Sequence, residues 1–393
     1  MKYDFDSCPG RRGTDSLKWG LYDGDVIPLW VADMDFVSPE PVIRALADRA
    51  AHGVFGYPEA IIPGRGGALA ETIAARMAAR YGWEVSPEEV VLVPGVVTAL
   101  NLACHAVATP GGAAVVQTPV YPPFLSAPGN AGMIRRDAEL ALRADGSYGV
   151  DFDLFERAIA GDGAEGPARL FVLCNPHNPV GRVFTRDELE RMAAICLAHG
   201  TRICSDEIHS DLVFDGLAHV PTASLSPEIA ARTVTLLAPS KTFNVAGLEC
   251  SAAIIQDAAL RRRFEGAGRG MSGWVNVMGL AAALAAYRDG QEWLDQLLPY
   301  LRANRDLLVD FVHRELPGVS MAAPEGTYLA WLDFRGRALD GGPYRFLLDK
   351  ARVALNDGGA FGAGGSGFAR LNFGCPRAVL QEALVRMRAA LVP

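Results

Sequence analysis

Lys241 is the first residue that suggests chemistry, because it comes directly after an apolar run. The stretch "TVTLLA" ends at position 238, and "PSK" then places an ammonium group beside it. Burying that charge costs free energy unless a partner or a covalent bond removes it. Taken alone, Lys241 is most simply interpreted as a solvated loop lysine. The residues at the neighbouring strand ends must show whether it has a chemical role.

Polar side chains also follow two other apolar runs. "RLFVLC" ends at "NPHNPVG", where Asn175 and Asn178 each precede a proline, and a tight Asn-Pro turn would also explain them. "TRICS" ends at Asp206, whose carboxylate either caps a loop or meets a cation that keeps it ionised. Ligands of open α/β sheets bind at the carboxyl ends of strands, so these side chains are candidates for one site.

A fourth strand end offers backbone groups instead of side chains. "VVLVP" runs into the helical stretch "VVTALNLACHAVA", and the first N–H groups of a helix have no partner within it. Such N–H groups bind phosphate. We therefore predict a phosphate site at three consecutive residues, Gly95, Val96 and Val97.

Together, the four strand ends predict a site for pyridoxal phosphate. The amine of Lys241 would condense with the aldehyde of the cofactor, which removes the charge that burial disfavours. Asp206 would keep the pyridine nitrogen protonated, and an asparagine would donate to the phenolic oxygen. The helix N-terminus would hold the phosphate. Each feature is weak alone, but the combination is specific.

The elements that must position these groups are helices alternating with short apolar runs from residue 90 to 255. This alternation predicts an α/β fold with a mostly parallel sheet covered on both faces. After residue 285, a long helix and fewer strands indicate a smaller α+β domain, in which the glycine-rich stretch 356–367 reads as a mobile loop near a site. We predict an N-terminal segment that packs on the small domain and a partner subunit, a large cofactor-binding domain and the small domain, at 1–45, 46–285 and 286–393.

Composition excludes several other classes of protein. The 393 residues are 50% hydrophobic, which is enough for a large core and a second smaller one. The net charge is −8 without a basic patch, so we expect no nucleic-acid partner. No apolar stretch is long enough to span a membrane, and the first residues are not a signal peptide. Seven cysteines occur singly without metal-site spacing, which predicts free thiols, no metal and a cytoplasmic protein.

The sequence resembles, nearly end to end, the pyridoxal-phosphate enzymes of fold type I in the class I/II aminotransferase superfamily. Within it, the sequence is most similar to the PatB/MalY branch of cysteine–sulfur β-lyases. This resemblance implies a seven-stranded sheet in the large domain and an active homodimer. It rests on "LWVADMDF" (29–36), "HGVFGYP" (52–58), "TPVYPPF" (118–124), "NPHNPVGRVFTRDEL" (175–189), "SDEIHSDLVF" (205–214), "PSKTFNVAGL" (239–248), "GTYLAWLDF" (326–334) and "RLNFGCP" (370–376).

The resemblance also implies roles by position. Lys241 would form the Schiff base and shuttle the proton, and Tyr121 would stack on the ring as the second catalytic residue. Asp206 would pair with the pyridine nitrogen, Asn178 with the phenolic oxygen, and Arg370 with the substrate carboxylate. Tyr57 would reach the phosphate of a neighbouring subunit, or else is a turn tyrosine. The remaining contacts expected are Asp33 and Asn178 to substrate, with His209 and Ser240 to cofactor.

Two departures from common aminotransferase relatives concern the phosphate and the ring. His209 stands where many relatives have tyrosine, as the lyase branch tends to have. Ala238 and Glu249 stand where many relatives have a serine and an arginine that contact the phosphate. Ser240 can replace the serine, but the balance of the phosphate charge is left open.

The resemblance favours β-elimination from a sulfur-containing amino acid, such as cystathionine or another cysteine S-conjugate, to give a thiol, pyruvate and ammonia. An aminotransferase on the same scaffold is the first alternative, since cofactor motifs do not separate the two reactions. A MalY-like regulatory protein is the second. A dinucleotide-binding dehydrogenase is a poor fit, because "GAGGSG" neither follows a strand nor opens a helix early in the chain.

Overall fold

Fourteen strands and fourteen helices form in the part of the chain that the computed structural model describes, residues 2–62, 64–162 and 166–392. The strands are β1 (Ile27–Pro28), β2 (Val90–Val93), β3 (Ala113–Val116), β4 (Ile134–Asp137), β5 (Ala141–Leu142), β6 (Tyr148–Gly149), β7 (Leu170–Cys174), β8 (Arg202–Asp206), β9 (Thr233–Leu237), β10 (Ser251–Ile254), β11 (Leu329–Asp333), β12 (Val353–Ala354), β13 (Asn356–Asp357) and β14 (Phe368–Asn372). The helices are α1 (Leu17–Gly20), α2 (Glu40–His52), α3 (Gly67–Tyr81), α4 (Val96–Val107), α5 (Pro122–Asn130), α6 (Phe152–Ala160), α7 (Arg186–Ala198), α8 (Pro227–Ala230), α9 (Pro239–Thr242), α10 (Ala258–Ala267), α11 (Val277–Asp289), α12 (Gln291–Glu315), α13 (Gly342–Phe346) and α14 (Arg377–Leu391).

Seven strands form the central sheet in the order β2-β10-β9-β8-β7-β3-β4. Strand β10 is antiparallel to both of its neighbours, and the other strands all run in one direction. Parallel neighbours need crossover connections, which the intervening helices supply. The prediction of an α/β fold with a mostly parallel seven-stranded sheet is confirmed.

Both faces of this sheet are buried, because alternate strand residues belong to different hydrophobic clusters. On β7, Val172 packs with helices α4, α5 and α10, whereas Phe171 and Leu173 pack with α6 and α7. All five residues of β7 are buried. A strand that is covered on both sides needs apolar residues at every position, which is why the sequence lacks polar alternation here.

The C-terminal part of the chain has its own sheet, with strand order β11-β14-β13. The long helix predicted after residue 285 is present as α12. Strand β1 pairs in parallel with β12, so the N-terminal segment is attached to this part of the molecule. We propose residues 1–45, 46–285 and 286–393 as domain boundaries, and this pairing supports them. No helix within the described ranges has both the length and the hydropathy needed to cross a membrane.

The glycine-rich segment packs closely against its surroundings. A Cβ atom added at Gly365 would lie 2.1 Å from the carbonyl oxygen of Gly358, and one at Gly362 would lie 3.2 Å from Leu125. Phe361, within the segment, is almost fully buried. The segment is therefore closely packed and requires glycine at these positions. The prediction that it is a mobile loop is wrong.

Candidate active site

Three parallel strands bring the predicted side chains to one edge of the sheet. Cys174 at the end of β7 pairs with Asp206 at the end of β8, and Asp206 pairs with Leu236 of β9. The loops that follow these strands therefore meet. They enclose a cavity of about 250 Å³ whose walls include Asn178, Asp206, His209 and Lys241.

Lys241 lies on the short helix α9, which begins directly after β9, and its side chain opens into the cavity. Nζ donates a hydrogen bond to the carbonyl oxygen of Ala32 (2.7 Å). Burial lowers the pKa of Lys241 to about 8, and the nearby charge of Arg370 adds to this effect. A larger fraction of neutral amine is thus present near neutral pH than for an ordinary lysine, and the neutral amine is the nucleophile.

Asp206 is buried at the end of β8. Its Oδ1 accepts a hydrogen bond from the backbone N–H of Ile208 (3.1 Å). Burial nevertheless raises the pKa of Asp206 to about 7, and the charge of Glu207 adds to the rise. A cation in the cavity would restore its ionised form.

Arg370 is hydrogen-bonded to Asn178, which lines the cavity. Nη1 of Arg370 donates to Oδ1 of Asn178 (3.0 Å), and Nη2 donates to the carbonyl oxygen of Trp30 (2.9 Å) and to Oδ1 of Asn356 (2.6 Å). The guanidinium lies over the ring of Phe361, 5.0 Å from its centre. Its Nε is buried and has no hydrogen-bond partner among the described residues. A bound carboxylate that reached this N–H would supply the acceptor that it lacks.

Tyr121 and His209 line the same cavity. The backbone N–H of Tyr121 donates to the carbonyl oxygen of Asn178 (3.0 Å), and burial raises the pKa of the Tyr121 hydroxyl, which keeps it protonated. His209 is buried edge-on to Tyr328. Burial lowers the pKa of His209 to about 3, so the ring is neutral, and its Nδ1 lacks a partner in the described chain.

The N-terminus of α4 forms one end of the cavity. Gly95 has a φ of 90°, which favours glycine, and its N–H donates to the carbonyl oxygen of Val93 (2.9 Å). The prediction of a free N–H group at Gly95 is therefore wrong. The N–H groups of Val96 and Val97 have no acceptor within the helix, as predicted, and the same holds for Thr98. Ser240, across the cavity, also lines it.

Three predicted residues, Tyr57, Asp33 and Arg370, do not line the cavity. Tyr57 is 83% exposed, and its only described ring contact is with Trp274, edge-on at 5.6 Å. Asp33 lies next to Ala32 in the chain, and its Oδ2 accepts a hydrogen bond from Arg11. Its Oδ1 is buried without a partner in the described part of the chain.

Sequence reasoning assigned no role to four residues at the site. Two are Thr98, on the cavity wall, and Ala32, whose carbonyl oxygen accepts from Lys241 and from the Tyr328 hydroxyl (2.8 Å). The other two are Tyr328 and His177. They stand inside the quoted stretches "GTYLAWLDF" and "NPHNPVG", as Ala32 does inside "LWVADMDF", and this was the available signal. The acceptor role of the Ala32 backbone itself leaves no mark in a sequence.

Comparison with known proteins supports one family. The profile of the family "Aminotransferase class I and II" matches residues 24–387. Cystathionine beta-lyase PatB of Bacillus subtilis is 43% identical, over 99% of this chain and 100% of its own, and Protein MalY of Escherichia coli is 32% identical, over 99% of each. A pyridoxal-phosphate-bound C-S lyase structure from Staphylococcus hominis is 31% identical with a TM-score of 0.92, over 100% of this chain and 99% of that one. The resemblance seen in the sequence is confirmed, and the chain belongs to the class I and II aminotransferase family.

Proposed function

We propose that the protein is a pyridoxal-phosphate-dependent carbon–sulfur β-lyase. It cleaves cystathionine or related S-conjugates of L-cysteine to a thiol, pyruvate and ammonia. The observation that carries this proposal is one cavity that contains a lysine with a pKa of about 8 and a buried carboxyl with a pKa of about 7. The similarity to PatB, named a cystathionine beta-lyase, supports elimination over transamination.

The cavity residues fit pyridoxal phosphate. Its amine-reactive aldehyde suits Lys241, and its protonated ring nitrogen supplies the cation that Asp206 lacks. Asn178 and His209 would contact the phenolic side of the ring, and Tyr121 would stack on it. The phosphate would accept hydrogen bonds from Val96, Val97, Thr98 and Ser240 at one end of the cavity. Gly95 shapes that end of the cavity but offers no free N–H.

Several residues of the chain would then each carry out one part of the elimination. The bound cofactor supplies an electron sink for the pair left when the α-proton departs. Arg370 binds the substrate carboxylate and fixes the α-carbon in front of Lys241, whose neutral amine takes the α-proton. Tyr121 keeps its own proton, so it is suited to donate a hydrogen bond to the leaving group. Asp33, next to the cavity residue Ala32 and close enough for its charge to act on Lys241, is proposed as a further substrate contact.

We also propose a homodimer in which Tyr57 reaches the phosphate of the second copy. Tyr57, Val54 and Phe55 are exposed on one loop, and Trp274 and Met271 are exposed on another. The larger groove of about 490 Å³ beside strand β2 is lined by Trp274 and by Ala60 and Ile62, which follow Tyr57 in the chain. Exposed apolar surface of this extent is typical of an interface. Sedimentation should give twice the chain mass, and Tyr57→Ala should weaken cofactor binding; a fully active monomer would overturn the proposal.

Free thiols support a cytoplasmic location. Six of the seven cysteines are buried and none forms a disulfide.

The deciding experiment is an assay without any 2-oxo acid. Purified protein loaded with pyridoxal phosphate is incubated with cystathionine and with an S-alkyl cysteine, and pyruvate is measured. Sustained release over many turnovers supports β-elimination. Turnover only after addition of a 2-oxo acid would identify an aminotransferase. Lys241→Ala should abolish pyruvate release, whereas Lys350→Ala, remote from the cavity, should not change it.

A further inference from the structure

The phosphate end of the cavity lacks a cation from this chain. Among the described residues that line the cavity, Lys241 is the only lysine or arginine, and its Nζ is the atom that binds the cofactor covalently. Arg370 does not line the cavity, and its guanidinium is hydrogen-bonded to Asn178, Trp30 and Asn356. The phosphate must therefore be bound by neutral donors and by the dipole of α4.

Glu249 adds a negative charge at the same place. It lines the cavity together with residues of the α4 N-terminus, Ser240 and Cys250. Its side chain is exposed to the cavity opening, and its carboxylate has no ion-pair or hydrogen-bond partner in the described ranges. Nothing there neutralises it.

The backbone holds Glu249 in this position. Its φ and ψ are 45° and 55°, a left-handed conformation that is uncommon for a residue other than glycine, asparagine or aspartate. Its N–H donates to the carbonyl oxygen of Ala246 (3.3 Å), and the next residue but one begins strand β10. Such conformations persist where the surrounding structure fixes them, and they cluster at functional sites.

We propose that Glu249 weakens the binding of the cofactor phosphate by charge repulsion and so keeps pyridoxal phosphate exchangeable. This inference rests on the proposed cofactor site. A phosphate monoester carries between one and a half and two negative charges near pH 7, so a carboxylate on the same cavity wall repels it. The repulsion acts on the phosphate alone, and it must therefore be absent for pyridoxal, which has the same ring and aldehyde.

The test measures cofactor affinity, not activity. Cofactor-free wild type, Glu249→Gln and Glu228→Gln are titrated with pyridoxal phosphate and, separately, with pyridoxal, while the absorbance of the lysine-bound form is followed. Glu228 is exposed on α8 and lines neither the cavity nor the groove at strand β2, so its substitution is the matched control. Glu249→Asn is the second neutral variant, because asparagine tolerates the left-handed conformation.

Both neutral variants at position 249 should bind pyridoxal phosphate about tenfold more tightly than wild type at about 0.02 M salt. Screening should reduce this gain to about twofold at about 0.5 M salt. Affinity for pyridoxal and the behaviour of Glu228→Gln should match wild type. Unchanged affinity for pyridoxal phosphate, or an equal gain for pyridoxal, would overturn the inference while leaving the proposed function intact. A wild type that never forms the lysine-bound form would overturn both.

Discussion

Nη1 of Arg370 donates to Oδ1 of Asn178 across 3.0 Å, and this contact fixes which way the Asn178 amide faces. Arginine can only donate, so the atom near it must be the amide oxygen, and the Nδ2 donors are left for another partner. The side chain that would bind the substrate carboxylate thus also orients the one that would bind the cofactor ring.

Arg370→Lys should raise KM for the amino-acid substrate about 10- to 100-fold, because an ammonium cannot reproduce the guanidinium fork or hold Asn178 at the same time. The absorbance of the lysine-bound cofactor should shift as well, since the Asn178 amide loses its anchor. Steady-state pyruvate assays and spectra check both. Arg335→Lys, which changes an exposed pair with Asp333, is the control and should leave KM unchanged. An unaltered spectrum in Arg370→Lys would show that the two side chains act separately.

Asp206→Asn should stabilise the cofactor-free protein as the pH rises. Burial raises the pKa of Asp206 to about 7 in the folded chain, above the ordinary value of about 3.9. A carboxyl with a raised pKa contributes stability that is present below about pH 4 and is lost as the pH rises through about 7. The asparagine has no such loss, so between pH 5 and 7.5 the variant should gain on the order of 2 kcal/mol relative to wild type.

Thermal unfolding of both cofactor-free proteins at pH 5 and pH 7.5 measures this difference. Lys241, with a pKa of about 8, is present in both proteins, so its own titration largely cancels in the difference between them. With pyridoxal phosphate bound, the same substitution should slow pyruvate release, because the ring nitrogen loses its carboxylate. A constant difference in unfolding midpoint at the two pH values would contradict the assignment of the buried charge to Asp206.

The strand ends could be predicted from the sequence because they depend on the pattern of apolar residues in short stretches of the chain. Uniformly apolar runs must be covered on both faces, and parallel neighbours bring their carboxyl ends together, which is enough to place Asp206 near Lys241. The role of Gly95 was predicted less well. Its N–H turns back to Val93 in a three-residue turn centred on Pro94, and the sequence pattern does not specify the dihedral angles of such a turn.

Contacts over long distances in the chain could not be predicted from residue patterns. Ala32 meets Lys241 through its carbonyl oxygen, more than two hundred positions away in the sequence. The glycine-rich segment has the composition of a linker, but Gly358 and Gly365 are required there because their backbones touch. A glycine-rich composition permits a flexible backbone, but only the tertiary packing shows whether the segment is flexible in the folded protein.

His177 connects the two loops that carry Tyr121 and Asn178. Its Nε2 lies 2.8 Å from the carbonyl oxygen of Pro119 and its Nδ1 lies 3.2 Å from that of Cys174. Burial lowers the pKa of His177 to about 4, so the neutral ring has one N–H, and the shorter contact indicates that Nε2 donates. His177 is thus a positioning residue.

Two substitutions separate the contacts of His177. The amide nitrogen of glutamine can take the place of Nε2, and that of asparagine the place of Nδ1, so His177→Gln should keep the bond to Pro119 and His177→Asn should lose it. We expect about fivefold higher kcat/KM for His177→Gln than for His177→Asn, since one neutral hydrogen bond contributes about 1 kcal/mol. The pH titration of the lysine-bound cofactor spectrum should shift only in His177→Asn. Equal losses in both variants would show that the contact with Pro119 does not position the site.

The glycine-rich segment supports Arg370 from two sides, through Oδ1 of Asn356 and the ring of Phe361. Gly365→Ala would place a Cβ atom 2.1 Å from the carbonyl oxygen of Gly358, so the segment must shift. We expect a loss of about 1–3 kcal/mol in stability, as for other overpacked sites, together with a raised KM because Arg370 loses its alignment. Gly359→Ala is the matched control in the same segment, where the nearest atom, on Asp357, would lie 3.5 Å away. The unfolding midpoint and KM should both change in Gly365→Ala, and neither should change in Gly359→Ala. A destabilised Gly365→Ala with unchanged KM would mean that the segment is not needed to hold Arg370.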